Sequence, residues 1–224
     1  MPCEGSTRET STSRVPEPDP SDASGWLDSP VRRAVELAIV VPLVALAAPF
    51  MAVVAVAVRR VLGRPVLFRQ VRSGRHGRPV GVVKFRTMTE ETDAEGQLLP
   101  DAERLVGLGR LLRSTSLDEL PQLWSVVTGE MSLIGPRPLP AAYDDRYSPA
   151  QARRLEARPG LTGWAQVHGR NAVGWTERFD LDVWYVDHAS WRFDLSVLVR
   201  TVSIVVQRKG VTAVGHDTMP GFDG

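Results

Sequence analysis

Charge leaves the chain from Leu37 to Val58, twenty-two residues in a row, and Pro42 and Pro49 sit inside that apolar run. Arg32 and Arg33 precede it; Arg59 and Arg60 follow it. At about 1.5 Å per residue, such a helix just crosses a bilayer core of roughly 30 Å. Each proline, however, removes a helical hydrogen bond and clashes with the carbonyl four residues back, at a cost of ~3 kcal/mol. Equal basic flanks give no charge asymmetry to orient a span. The pattern predicts a re-entrant anchor over residues 30–60, bent near Pro42 with both ends on one membrane face. A straight helix kinked at Pro42 and a buried core helix are the competing readings, the first because membrane helices tolerate proline. A cleaved signal peptide fits poorly, since a long polar stretch comes first and no small-residue cleavage site follows.

Beyond the anchor, Val66–Val71 and Val80–Phe85 are β-branched runs joined by a glycine-rich basic turn, which predicts a hairpin. Asp101 to Leu112 places Leu105, Leu108, Leu111 and Leu112 at helical spacing. A second helix is expected from near Pro121 to about Thr128, stopped by Gly129. Ser132 to Pro138 must leave regular structure after Gly135, because Pro136 and Pro138 flank Arg137. Ser148 and Pro149 open a short helix reaching Ala157. Pro159 to Trp164 reads as a second rigid loop. Trp175 to Val206 is helical, with its aromatic residues as core or at a headgroup boundary. The sum is an α+β chain, helix-rich with a small β-hairpin. Its expected parts are a disordered tail over 1–29, the anchor over 30–60, a catalytic domain over 61–209 and a loose terminus over 210–224.

Composition sharpens this division. Residues 1–29 carry six acids and two arginines among many Ser, Thr and Pro, a disordered composition. From Arg59 to Arg86 there are eight arginines, one lysine and no acid, so the net charge of +1 hides a basic block beside the anchor. Such a block favours anionic headgroups or phosphates, at ~1 kcal/mol per residue near the surface. Nucleic acid is not expected, since no aromatic-interleaved or helix-turn-helix pattern accompanies it. The single cysteine, Cys3, excludes a disulfide framework and a thiolate metal site, and the four histidines are scattered.

The candidate chemistry centres on Ser116-Leu117-Asp118-Glu119-Leu120-Pro121-Gln122. Ser116 and Glu119 have the spacing of a capping box. Pro121 opposes that reading, because proline belongs in a first turn and the helix should then start at or after Asp118. Both carboxylates would sit at a helix N-terminus, where the dipole favours ionisation. An ionised aspartate there can be a nucleophile, and its neighbour can bind magnesium through oxygen. Lys84, Arg86, Arg113 and Arg137 are the nearby cations. Taken singly, each is an ordinary surface charge. Together with the acid pair and the anchor they describe a metal-assisted site for a diphosphate, with Arg137 stiffened by Pro136 and Pro138.

KFRTM (Lys84 to Met88), DELPQLWSVVTGEMSLIGPRP (Asp118 to Pro138) and RPGLTGWAQVHGRN (Arg158 to Asn171) closely resemble the bacterial sugar transferase family, the monotopic phosphoglycosyl transferases, over about residues 30–209. The resemblance implies transfer of a sugar 1-phosphate from a UDP-sugar to polyprenyl phosphate, with UMP released. It implies a place at the cytoplasmic face of the bacterial inner membrane, at the first membrane step of polysaccharide or glycoprotein glycan assembly, ahead of downstream glycosyltransferases. By the same resemblance, Asp118 would be the nucleophile, and Glu119 would help bind Mg2+ and assist the incoming polyprenyl phosphate. Lys84, Arg86, Arg113, Arg137 and Arg170 would hold phosphates, nucleotide or headgroups, and Pro42 would match the helix-breaking proline. A serine often precedes that proline in the family, where this chain has Val41. Larger relatives add N-terminal membrane helices, and this chain resembles the minimal catalytic form. Two other functions fit parts of the pattern: a membrane-anchored scaffold that binds anionic lipid or partner enzymes, and a hydrolase that uses water as acceptor.

Overall fold

The computed structural model describes residues 20–168, 174–207 and 221–222. Helix α1 (Pro20–Leu27) lies inside the stretch whose composition reads as a disordered tail. Ala23, Trp26 and Leu27 share one helical face, and that face joins the main core beside Tyr185 and Val186. Trp26 Nε1 donates to Asp194 Oδ2 at 2.9 Å. Three apolar side chains dock a helix that composition alone does not reveal. Residues 1–19, with Cys3, lie outside the described residues.

Ser29 caps helix α2 (Pro30–Val61), its hydroxyl accepting from the Val31 amide, and Pro30 takes the first helical position. The helix runs for 32 residues as one element with Pro42 and Pro49 inside it. Positions 32, 36, 40, 44, 47, 51, 54 and 58 make one buried or half-buried stripe, while Leu46, Phe50 and Val53 stand exposed. Both ends of that stripe grip the same body. Near the start, Arg33 donates to the carbonyls of Val126 and Val127 at 2.7 and 2.9 Å, and the Leu133 amide donates to Glu36 Oε1 at 3.1 Å. Near the finish, Val58 packs with Phe85 and Leu112, and Met51 and Val54 lie against them.

Strands β1 (Leu67–Ser73) and β2 (Pro79–Phe85) form the expected antiparallel hairpin, in register from Leu67↔Phe85 to Ser73↔Pro79. The expected helix from Asp101 to Leu112 is two pieces, α3 (Asp101–Arg104) and α4 (Gly107–Ser114). Between them Leu105 turns extended, is buried and bridges to Met88. Gly109 explains the close fit that follows, because a Cβ there would stand 1.9 Å from the Thr87 carbonyl oxygen.

A 3₁₀ turn over Leu117–Gln122 leads into α5 (Leu123–Thr128), which ends on Gly129 at φ 85°. The two glycine-rich stretches read as loops contain paired strands: β3 (Ser132–Ile134) lies parallel to β4 (Gly160–Thr162). Between them in sequence comes α6 (Pro149–Ala152), opened by the capping box of Ser148 and Gln151 and continued as 3₁₀ turns over Arg153–Glu156. After β4 come α7 (Trp164–Val167), α8 (Trp175–His188) and α9 (Trp191–Gln207). Phe179 and Tyr185 of α8 are fully buried, whereas Trp191 of α9 is exposed, so the aromatic residues divide between core and surface. Within the stretch 210–224, of which only residues 221–222 are described, Phe222 is buried with Leu139 and Phe179.

Candidate active site

Lys84 stands one residue before the end of β2, opposite Phe68 in the hairpin register. The 117–122 turn packs directly on β2 and so brings the acid pair to it. Ser116, which precedes that turn, is left-handed at φ 58° and makes no side-chain cap. The capping box between Ser116 and Glu119 is thus absent, and the Glu119 carboxylate turns outward. There Lys84 Nζ and Arg137 Nη2 both donate to Glu119 Oε1, the latter at 2.7 Å. Pro136 and Pro138 are buried on either side of Arg137. Their rings fix the backbone that aims its guanidinium.

Asp118 is only 7% exposed. Among the described residues, no protein donor hydrogen-bonds to its carboxylate. Burial pushes this carboxyl above the ordinary aspartate value, and the neighbouring Glu119 charge adds to the effect; Lys84, Arg113 and Arg137 partly oppose it. The helix dipole does not dominate as the sequence suggests, because a short 3₁₀ turn aligns few peptides and desolvation acts on the whole group. Glu119 behaves in the opposite way. Burial alone would raise it, but Arg137 and then Lys84 hold it well below the usual carboxylate range. Two adjacent carboxylates thus differ in character, one firmly ionised and paired, the other poised and bare.

The cations divide by place. Lys84 and Arg137 are in direct contact with Glu119. Arg113 acts on Asp118 through its field, while its own Nε donates to Thr87 Oγ1 at 3.1 Å. Arg86 is not brought to the acid pair. It is buried against the end of α2, donating to the carbonyls of Arg64, at 3.2 Å, and Leu62, and pairing with Glu90 at 3.4 Å. Its neighbours give it the role of a clasp between the hairpin and α2. Pro42 lies far along α2 from these groups in sequence, on an exposed face. Arg170 falls outside the described residues.

Two groups near Arg137 escape a reading of the sequence. Arg72 shares a face of the hairpin with Lys84, since Phe68 opposes Lys84 and Arg72 lies four residues on from Phe68. Burial lowers its pKa, and the Arg137 charge adds to that. The period-two register was the available signal. Arg154, on the 153–156 turn, donates to the Arg137 carbonyl at 2.7 Å and to Asp182 Oδ2 at 2.7 and 3.0 Å. No local pattern marks that pair, whose members are 28 residues apart.

Among the described residues, no group of three or more His, Cys, Asp or Glu side chains is arranged to hold a metal ion. The donor set still fits magnesium, which usually keeps water and binds through one or two carboxylates plus substrate phosphates. Asp118 offers carboxylate oxygens without a protein donor, and Glu119 Oε2 is left over from the contacts made by Oε1.

The bacterial sugar transferase family model matches residues 27–208. The chain is 52% identical over 167 residues to an uncharacterized sugar transferase, EpsL, of Bacillus subtilis, covering 75% of this chain and 83% of that protein. It is 42% identical over 184 residues to the UDP-glucose:undecaprenyl-phosphate glucose-1-phosphate transferase of Caulobacter vibrioides, covering 76% and 68%. It is 37% identical over 165 residues to the undecaprenyl-phosphate galactose phosphotransferase of Salmonella typhimurium, covering 66% of this chain but 35% of that longer protein. Matched across all but its ends, with the acid pair and its cations inside the matched region, the chain belongs to the bacterial sugar transferase family.

Proposed function

We propose that this chain transfers a sugar 1-phosphate from a UDP-sugar to polyprenyl phosphate through a covalent phosphosugar intermediate on Asp118. The observation that carries the reading is the pairing of a buried, undonated Asp118 carboxylate with a Glu119 clamped by Lys84 and Arg137. In the first step an Asp118 oxygen forms a bond to the sugar-linked phosphorus, and the bond from that phosphorus to UMP breaks. In the second, a phosphate oxygen of the polyprenyl acceptor attacks the same phosphorus and the bond to Asp118 breaks. The carboxylate is regenerated, and no net proton transfer is required of the protein. Lys84 and Arg137 hold charge on the phosphate oxygens in both steps, where preorganised cations act most strongly. Glu119 would hold magnesium with help from substrate phosphates, and the ion supplies further charge neutralisation when bound.

The anchor fits the acceptor. Helix α2 is long and apolar enough to cross a membrane. A straight span would put Arg33 and Arg59 on opposite faces, yet both ends of α2 are fastened to one body. That favours a monotopic seat with the site on the cytoplasmic face, where nucleotide sugars are supplied. The names of the Caulobacter and Salmonella relatives, which include undecaprenyl phosphate, support the same acceptor class.

The decisive experiment incubates detergent-solubilised protein, undecaprenyl phosphate and a panel of UDP-sugars while UMP release is measured. Donor carrying a radioactive phosphate next to the sugar should label the wild type when acceptor is withheld. Label that persists in Asp118→Asn would overturn the nucleophile.

A further inference from the structure

Phe222 is buried to 7% exposure within a wall of Tyr143, Tyr147, Trp175 and Phe179. Its ring centroid lies 5.0 Å from that of Phe179, edge to face, and 6.1 Å from Tyr147, stacked. Arg146 Nη1 donates to its carbonyl.

Two routes lead from this ring to Arg137. Leu139, two residues past Arg137, is buried in the same cluster as Phe222 and Phe179. The second route passes through Arg154, whose guanidinium carbon lies 5.8 Å from the centre of Tyr147 and 5.7 Å from that of Phe179. These are the rings that Phe222 touches on its own side. Arg154 then holds the Arg137 carbonyl at 2.7 Å, with its charge neutralised by Asp182. Both side chains of that pair are 1% exposed, so the pair depends on water being kept out.

We propose that Phe222 is a positioning residue for Arg137: it seals the aromatic wall that seats Arg154, and it shares a buried cluster with Leu139 of the loop that carries Arg137. Phe222 touches none of the groups assigned to the chemistry. Its effect is to fix where the guanidinium that grips Glu119 and the donor phosphate stands. The proposal rests on the transferase reading for its consequence in turnover, but not for its consequence in backbone order.

The test uses the full chain in detergent, with UDP-glucose and UDP-galactose as donors and undecaprenyl phosphate as acceptor. Phe222→Ala should lower kcat on the order of tenfold, the scale of a small misplacement of a positioning group. Phe222→Tyr, which keeps the ring, should restore most of it. In an Arg137→Ala background, adding Phe222→Ala should cost nothing more. An unchanged kcat in Phe222→Ala, or losses that multiply fully in the double variant, would overturn the proposal.

Hydrogen exchange gives the readout that needs no turnover. Amides of Gly135, Arg137 and Leu139 should exchange faster in Phe222→Ala than in wild type, with the α4 amides unaffected; equal rates in that loop overturn the proposal. Phe222→Leu replaces Phe222→Ala if the latter fails to fold, with the same expectation at smaller amplitude. A wild type that releases no UMP from any donor defeats the transferase reading, and the exchange data then decide this proposal alone.

Discussion

Arg32 of α2 reaches Asp194 of α9 across 162 positions of sequence, with Nε 3.1 Å from Oδ2. Both groups are buried, and the same carboxylate also accepts from Trp26 Nε1 at 2.9 Å and from the Tyr185 hydroxyl at 2.8 Å. The arginine's remaining donors go to the carbonyls of Ile134 and Leu27 and to Tyr185. One buried ion pair thus fastens the anchor helix, α1, β3, α8 and α9 together. Removing Asp194 takes away the nearer counter-charge of that guanidinium and the three hydrogen bonds the carboxylate accepts, leaving Glu36 Oε1 at 3.8 Å. Asp194→Ala should cost about 3–5 kcal/mol, read as a lowered thermal midpoint in detergent. A midpoint within error of wild type would mean that water has free access to this site.

Asp118 should set the acid limb of activity. Its folded pKa lies above the ordinary 3.8, mainly because of burial, so the carboxylate proposed as nucleophile is lost at a higher pH than a free aspartate would lose it. The acid-side midpoint of kcat/KM should accordingly stand above 3.8. Glu119→Gln removes the negative neighbour that adds to the rise, so any residual activity of that variant should have its acid limb moved to lower pH. Movement in the other direction contradicts the assignment of the limb to Asp118.

The stability role of Glu119 has the opposite sign. Its folded pKa is depressed below 4.5, so its contribution is present above the unfolded value and is lost as pH falls through the folded one. Glu119→Gln should lower stability by about 1–2 kcal/mol at pH 7, discounted from a fully buried pair because the three side chains keep some exposure. The gap to wild type should be flat from pH 7 to about 5 and close only in stronger acid. The same variant should show a weakened magnesium dependence of turnover; an unchanged titration would remove Glu119 from the ion's ligands.

Backbone contact between the two glycine-rich motifs gives a further prediction. A Cβ at Gly163 would lie 2.1 Å from the Gly135 carbonyl oxygen, and one at Gly135 would lie 2.3 Å from the Arg158 carbonyl oxygen. Backbone must move in either case. Gly163→Ala and Gly135→Ala should each cost at least 2 kcal/mol by overpacking, an order-of-magnitude figure, and should also reduce turnover, because Arg137 follows Gly135 by two residues. Normal activity with normal stability in both would show the loops to be looser than this.

What could be read in advance was what local chemistry decides. The hairpin follows from β-branched runs around a glycine-rich turn, the stop at Gly129 from a left-handed cap, and the start at Ser148 from its capping box. The acid pair followed from Pro121, whose position argues against a cap at Ser116. Tertiary contacts decided the rest. β3 and β4 are three residues each, and their pairing spans a separation that no periodicity reports. Leu105 keeps its helical spacing yet turns extended to bridge Met88, a long-range choice overriding pattern. The motif places Arg86 among the phosphate ligands, while its bonds to the Leu62 and Arg64 carbonyls just past α2 are ones that no local pattern reports. α1 was hidden because three apolar residues are too few to outweigh a polar composition.

With α2 tied down at Arg33 and again at Val58, the monotopic seat proposed above would rest the enzyme on the bilayer like a shelf on two brackets rather than a flag on a pole. The clearance between Asp118 and the hydrocarbon is then set by the protein itself, and swivelling about a stalk cannot change it. An acceptor must present its phosphate at that height. Shortening the prenyl tail while it still inserts should therefore matter little, whereas adding a spacer between tail and phosphate should abolish transfer.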